Sequence, residues 1–111
     1  MIEVNLKEGM PTVAEALSRL THGLALARQQ GQSTIKLIHG YGSTGTGGEI
    51  RVVAQARLME MASRGEIKAC IFGENWSKSD AQTWELLRSN PALKSDPHLG
   101  RKNLGITIVV L

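Results

Sequence analysis

One run constrains the fold of this chain more than any other: Thr34-Ile35-Lys36-Leu37-Ile38-His39 passes directly into Gly40-Tyr41-Gly42-Ser43-Thr44-Gly45-Thr46-Gly47-Gly48. A mostly apolar strand leads into a stretch with five glycines in nine residues, and helical periodicity begins near Glu49. A strand, a glycine loop and a helix start in that order belong to α/β architecture. Glycines let successive backbone N–H groups turn toward one point, and a helix N-terminus adds unpaired donors and the positive end of its dipole. The expected occupant of such a loop is an anion, most often a phosphate. A loop whose glycines serve only tight turning has similar weight on these residues alone.

The flanking segments fit the same architecture. Ile2, Val4 and Leu6 alternate with Glu3 and Asn5, which predicts a half-buried strand. Thr12 and Glu15 form a capping box that opens a helix, with Val13, Ala16, Leu17, Leu20, Leu24 and Ala27 on one face and Gly31 as its stop. The helix after the loop is expected from about Glu49 to Arg64, with Ile50, Val53, Ala54, Leu58 and Met61 buried and Arg51, Gln55 and Glu60 facing out. Lys68 to Phe72 reads as a third strand, apolar enough for a central place in the sheet. From Gly73 to Asn103 the chain turns polar and is broken by Pro91, Pro97 and Gly100, with one short helix expected over Ala81 to Ser89. Trp76 and Trp84 are expected to pin this segment over the core. Ile106 to Leu111 supplies the last strand, in either orientation. The predicted order is β-α-β-α-β-(α)-β, a four-stranded mixed sheet with helices. The whole chain, 1–111, reads as one domain with an inserted polar segment at about 74–103.

Composition removes several function classes. The only cysteine, Cys70, excludes an internal disulfide and any zinc site built on cysteine pairs, and its apolar surroundings predict an inert thiol. No apolar run reaches membrane-spanning length, and Met1 to Asn5 lacks the basic start of a signal peptide, so a cytoplasmic, membrane-free protein is expected. A formal charge of +3 and a pI near 9.4 permit phosphate binding without requiring it. His22, His39 and His98 show no metal-ligand spacing, so neither a metal nor another cofactor is expected.

Gly40-x-Gly42-x-x-Gly45 matches the dinucleotide fingerprint, yet no acidic residue closes the next strand about 20 residues on, where ribose hydroxyls would need one. A nucleoside-triphosphate loop would end in Gly-Lys and then Ser or Thr; here Gly47-Gly48 is followed by Glu49, which repels phosphate. What remains is a simpler phosphate cradle. His39 stands at the C-terminal end of its strand, Arg51 on the first turn of the expected helix, and Tyr41 at the loop tip, where it could stack on a base.

Ile38-His39-Gly40-Tyr41-Gly42, the later glycines, Ile50-Arg51 and the closing Gly105-Ile106-Thr107-Ile108-Val109-Val110-Leu111 together resemble the small MutS-related (Smr) domain. That family's pattern is His-Gly-x-Gly-x-Gly followed by Leu-Arg. The resemblance spans nearly the whole chain. It implies a two-layer fold similar to the C-terminal domain of a bacterial translation initiation factor. It also implies binding to DNA or RNA and, in several members, nicking or endonuclease activity. Carried onto this sequence, the site comprises Lys7, His39, Gly40, Tyr41, Gly42, Gly45, Gly47, Gly48 and Arg51, with Lys36 and Arg101-Lys102 extending the basic surface. His39 would act as general base or position water in a nuclease, with a divalent metal as its helper.

The sequence departs from the family at the first strand, where Leu-Asp-Leu-His is usual. Asn5 and Lys7 stand at the Asp and His positions. Asn5 offers no proton-accepting carboxylate, and Lys7 favours phosphate contact over proton transfer. The loop is also about four residues longer than the family pattern. The expected function is therefore holding a nucleic-acid backbone. Cutting it, or serving as a protein-interaction module built on the Trp76 and Trp84 segment, are the alternatives.

Overall fold

The computed structural model describes residues 1–41 and 46–111. These form strands β1 (Ile2–Asn5), β2 (Thr34–Ile38), β3 (Ala69–Phe72) and β4 (Ile106–Val110), and helices α1 (Val13–Gln29), α2 (Thr46–Ser63) and α3 (Ala81–Ser89). The sheet is four-stranded and mixed, in the order β1-β2-β4-β3. β1 pairs parallel with β2, while β4 runs antiparallel to both β2 and β3.

α1 forms where the capping box predicts. The Thr12 hydroxyl accepts from the Glu15 N–H at 3.1 Å, and the Glu15 carboxylate accepts from the Thr12 N–H at 3.1 Å. Ala16, Leu20, Leu24 and Ala27 turn onto Ile35, Leu37 and Val109 of the sheet, joined by Ile50, Ala54 and Leu58 of α2. Each large aliphatic side chain removed from water here contributes about 1.5–3 kcal/mol. Both helices lie on one face because β1-to-β2 and β2-to-β3 step across the sheet in the same direction, and right-handed crossovers in one direction share a face.

The 73–103 segment covers the opposite face. Ile71, Ile106 and Ile108 pack there against Trp76, Leu87 and Leu93. α3 begins at Asp80, whose carboxylate accepts from the Thr83 N–H at 3.0 Å. Trp76 is completely buried, as expected, but Trp84 is 47% exposed and lies outside the buried cluster around Trp76. α3 turns Thr83 and Leu87 inward, and Trp84 follows Thr83 out of that stripe.

Two further expectations change. β3 is an edge strand, paired only with β4. Its apolar run reflects cover on both faces, with Cys70 against the α1/α2 core and Ile71 against the Trp76 cluster, rather than a strand on each side. α2 starts at Thr46, three positions before Glu49, and so absorbs Gly47 and Gly48. Glycine costs about 1 kcal/mol relative to alanine inside a helix, so the sequence reads as loop there. Among the described residues no helix is long and apolar enough to cross a membrane.

Candidate nucleic-acid interface

The strand register assembles the site. Asn5 lies opposite Ile38, Ile38 opposite Ile106, and Phe72 opposite Thr107. The ends of β1, β2 and β3 and the start of β4 therefore share one edge of the sheet. Lys7, His39-Gly40-Tyr41, Glu74 and Gly105 all emerge there, and Arg51 from α2 reaches Glu74. Gly42 and Gly45, expected to cradle an anion, lie outside the described residues.

Asn5 organises the first of these exits. Its side-chain oxygen accepts from the N–H groups of Lys7 and Glu8, both at 3.0 Å. The turn this makes carries the exposed Lys7 side chain over Gly40. Gly40 sits at φ +70°, and a Cβ there would meet Lys7 Cδ at 3.2 Å. Gly105 closes on it from the other side: its carbonyl accepts from the N–H groups of His39 and Gly40 at 3.0 and 3.1 Å. A Cβ on Gly105 would stand 3.3 Å from Gly40 Cα. Two glycines in contact thus let β2 and β4 hand the chain outward at one point. Tyr41, the next residue, is 61% exposed.

His39 is fully buried, although the sequence places it as a ligand contact and general base. Nδ1 donates to the Gly40 carbonyl at 2.7 Å, since a carbonyl can only accept. That leaves Nε2 as acceptor for the Thr107 hydroxyl at 2.8 Å, while the Gln55 amide donates to the same hydroxyl oxygen at 3.3 Å. Gln55 is therefore buried and not solvent-facing as its helical position suggested. Burial pushes the His39 pKa below its ordinary 6.5, and Arg51 adds to the lowering; hydrogen bonding of the ring to the backbone of Gly40 and Ile106, and the Glu74 charge, oppose it. The ring is neutral with both nitrogens engaged. It works as a post under Gly40.

Arg51 lies half-buried above this post. Its Nη2 donates to Glu74 Oε2 at 3.2 Å. Arg51 Nε and Glu74 Oε1 are buried and have no partner among the described residues. Glu74 was not expected here; its position directly after β3 was the available signal, because it shares the sheet edge with His39.

Lys36, expected on the basic surface, is 1% exposed. It sits in β2 and points into the face opposite α1 and α2. Nζ donates to Asp96 Oδ1 at 2.6 Å and to His98 Nδ1 at 2.7 Å, with Glu3 of the neighbouring strand at 3.9 Å. Asp96 Oδ2 accepts from Trp76 Nε1 at 2.9 Å. The lysine charge is spent inside the protein. Lys102 and Arg101 are exposed as expected. Cys70 is half-buried, and burial raises its thiol pKa, in keeping with an unreactive group. Among the described residues no three of His, Cys, Asp and Glu gather as metal ligands.

No protein-family model matches the sequence, and no curated protein matches it. Among solved structures, the chain is similar to the crystal structure of the Smr domain of Thermus thermophilus MutS2. The two are 25% identical with a TM-score of 0.62, over 100% of this chain and 98% of the other. The Smr resemblance read from Ile38 to Arg51 and from Gly105 to Leu111 thus extends to the fold of the whole chain.

Proposed function

We propose that this domain binds DNA or RNA by holding backbone phosphate at the sheet edge where Lys7, Gly40, Tyr41, Arg51 and the N-terminal turn of α2 meet. The observation that carries the proposal is the seating of the Lys7 side chain over Gly40, with a hypothetical Cβ only 3.2 Å from Lys7 Cδ. That contact sets an exposed cation beside the backbone at the mouth of the glycine run. Arg51, whose Nη2 is held by Glu74, adds a second cation at the same edge. The first turn of α2, with Gly47 and Gly48, adds backbone donors at a positive dipole end. Gly42 and Gly45 complete the cradle in this reading. Exposed Tyr41 gives a face on which a base can stack.

His39 has a supporting role in this proposal. With both ring nitrogens hydrogen-bonded inside the protein, it fixes the carbonyl of Gly40 and does not move protons. The similarity to an Smr domain supports a nucleic-acid partner, and Asn5, engaged in its own turn, favours holding over cutting.

The test is a titration of labelled single-stranded and duplex DNA and RNA at several salt concentrations. Binding should weaken steeply with salt. Lys7→Ala and Arg51→Ala should each flatten the log–log slope by about 0.7 for single strands or about 0.9 for duplex DNA. No binding to any of these at low salt sinks the proposal.

A further inference from the structure

Beyond the glycine edge, the 73–103 segment folds back to form an open groove lined by Ser77, Lys78, Lys94 and Lys102, with Glu74 and Asp96 in its walls. We infer that this lysine groove is a second phosphate-binding subsite, which takes the backbone of the same nucleic-acid strand after it passes the Gly40 and Arg51 site. The inference rests on the nucleic-acid reading above and extends it to the other face of the sheet.

The groove's electrostatics follow from where its two acids are already committed. Asp96 Oδ1 accepts from buried Lys36 at 2.6 Å, and Oδ2 accepts from Trp76 Nε1 at 2.9 Å and from the His98 N–H at 3.1 Å. Glu74 pairs with Arg51 at 3.2 Å. Asp96 is thus engaged by a buried lysine behind the groove, and Glu74 by Arg51 at its rim. Lys78, Lys94 and Lys102 are exposed and form no ion pair among the described residues. Three uncompensated positive charges face one concave surface.

The remaining chemistry is that of a phosphate contact. The Ser77 and Ser79 hydroxyls are 2.7 Å apart, so one donates to the other and the second hydroxyl hydrogen is left for a ligand oxygen. Lysines supply point charge without the fork geometry that reads a base edge. No aromatic side chain lines the groove among the described residues, so bases have nothing to stack on there. The surface suits backbone oxygens irrespective of sequence.

Continuity with the first site is what selects a nucleic acid over other polyanions. Glu74 belongs to both, as the partner of Arg51 on one side and a groove wall on the other. Gly73, immediately before it, is packed so closely on Asn103 that a Cβ would lie 1.7 Å from the Asn103 carbonyl oxygen. That approach holds the chain at 103 against Gly73, and Glu74 and Lys102 line the same groove.

The experiment compares oligonucleotides of about 6 and about 18 nucleotides on the full chain and on the triple variant Lys78→Gln, Lys94→Gln, Lys102→Gln, with Lys7→Ala/Arg51→Ala as the reference. Circular dichroism checks that each variant keeps the fold. The expected result is that the short oligonucleotide binds the full chain and the triple variant alike. The long one should bind the full chain more tightly, with a salt slope steeper by about 2, and lose that advantage in the triple variant. If the length advantage and slope survive in the triple variant while Lys7→Ala/Arg51→Ala abolishes binding, the groove is overturned and the first site stands. If neither length binds the full chain at low salt, both fall. If a polyglutamate peptide competes as well as the long oligonucleotide, the groove is an acidic-peptide dock, and this inference is overturned.

Discussion

Thr107 Oγ1 lies 2.8 Å from His39 Nε2, a side-chain contact that joins the exit of β2 to the start of β4 beneath the candidate site. Gln55 of α2 donates to the same oxygen at 3.3 Å, so one hydroxyl meets both helix and strand. The chain of donors runs from Gln55 to Thr107 to His39 and ends on the Gly40 carbonyl. Each step uses a group that burial would otherwise leave without a partner, which is costly in a dry interior. The geometry of Gly40, and through it the direction in which Tyr41 leaves the sheet, depends on this chain.

Removing the ring should therefore be felt first in stability. His39→Ala is expected to cost about 2–4 kcal/mol, combining a cavity with two buried groups left unpaired. Thr107→Val should cost about 1–3 kcal/mol by stranding His39 and Gln55. Urea denaturation monitored by tryptophan fluorescence measures both. A His39→Ala protein as stable as the parent would remove the post from the account.

The same histidine makes stability depend on pH. Its pKa in the folded protein is lowered from 6.5, so the unfolded chain takes up the proton first as pH falls. Its contribution is complete above 6.5 and is lost as pH drops through that value toward the lowered folded pKa. Subtracting the His39→Ala profile from that of the parent should isolate a loss confined to this window. A flat difference between neutral pH and the acid limb would contradict burial of the neutral ring.

Lys36 and Asp96 give a second, separable window. Burial pushes the Asp96 carboxyl upward, but hydrogen bonds from Lys36 and Trp76 and the Lys36 charge outweigh it, and the group stays below its ordinary 3.8. Its stabilisation is present above 3.8 and disappears as pH falls through the lowered value. Asp96→Ala should cost about 3–5 kcal/mol, because it abandons a lysine that is 1% exposed. Replacing both, as Lys36→Met with Asp96→Leu, should recover much of that loss, since no buried charge is then left alone. Denaturation midpoints of the two singles and the double complete the cycle.

How much of this was legible in the sequence varies with the range of the interaction. The capping box at Thr12 and Glu15 and the bounds of α3 depend on neighbours a few residues apart, and they read correctly. Lys36 did not, because a lysine in a strand looks like surface until Asp96, sixty positions away in the fold's other layer, is brought to it. Gln55 failed in the same way: helical periodicity turned it outward, and only the Thr107 hydroxyl explains why it turns in. The apolar run of β3 suggested a central strand, since sequence cannot separate cover by two layers from flanking by two strands. At the site, Lys7 and Gly40 were both singled out from the sequence, but not their contact with each other. The Glu74 partner of Arg51 was not, because it follows from the β3–β4 register.

The most exacting contact in the fold concerns Gly73. A Cβ there would fall 1.7 Å from the Asn103 carbonyl oxygen and 2.8 Å from that of Ile106, both backbone atoms held by the sheet edge. Gly73→Ala must move the backbone, and a loss of about 3 kcal/mol or more is expected. Gly23→Ala is the contrast: its Cβ would press on the Val4 side chain at 2.8 Å, in a partly exposed strand that can adjust. Thermal melts of the pair should rank Gly73→Ala well below Gly23→Ala. The reverse order would mean that the 102–103 backbone is not fixed against β3.

Glu74 is the residue whose removal should improve binding. It holds Arg51 Nη2 at 3.2 Å, with the two side chains 33% and 25% exposed. An ion pair this accessible contributes little to stability, on the order of 0–1 kcal/mol. Its negative charge lies next to Arg51, where it would oppose a phosphate that approaches that cation. Glu74→Gln keeps the shape and a hydrogen-bond acceptor for Arg51 while removing the repulsion. Affinity for a single-stranded oligonucleotide should rise about two- to fivefold at moderate salt, and the gain should shrink as salt screens it. Arg51→Ala alone should weaken binding, and in that background Glu74→Gln should still help, because the carboxylate repels phosphate with or without its partner. Fluorescence anisotropy on the four proteins reads all of these changes. Affinity that is unchanged or reduced in Glu74→Gln would show that phosphate does not approach Arg51 from the Glu74 side.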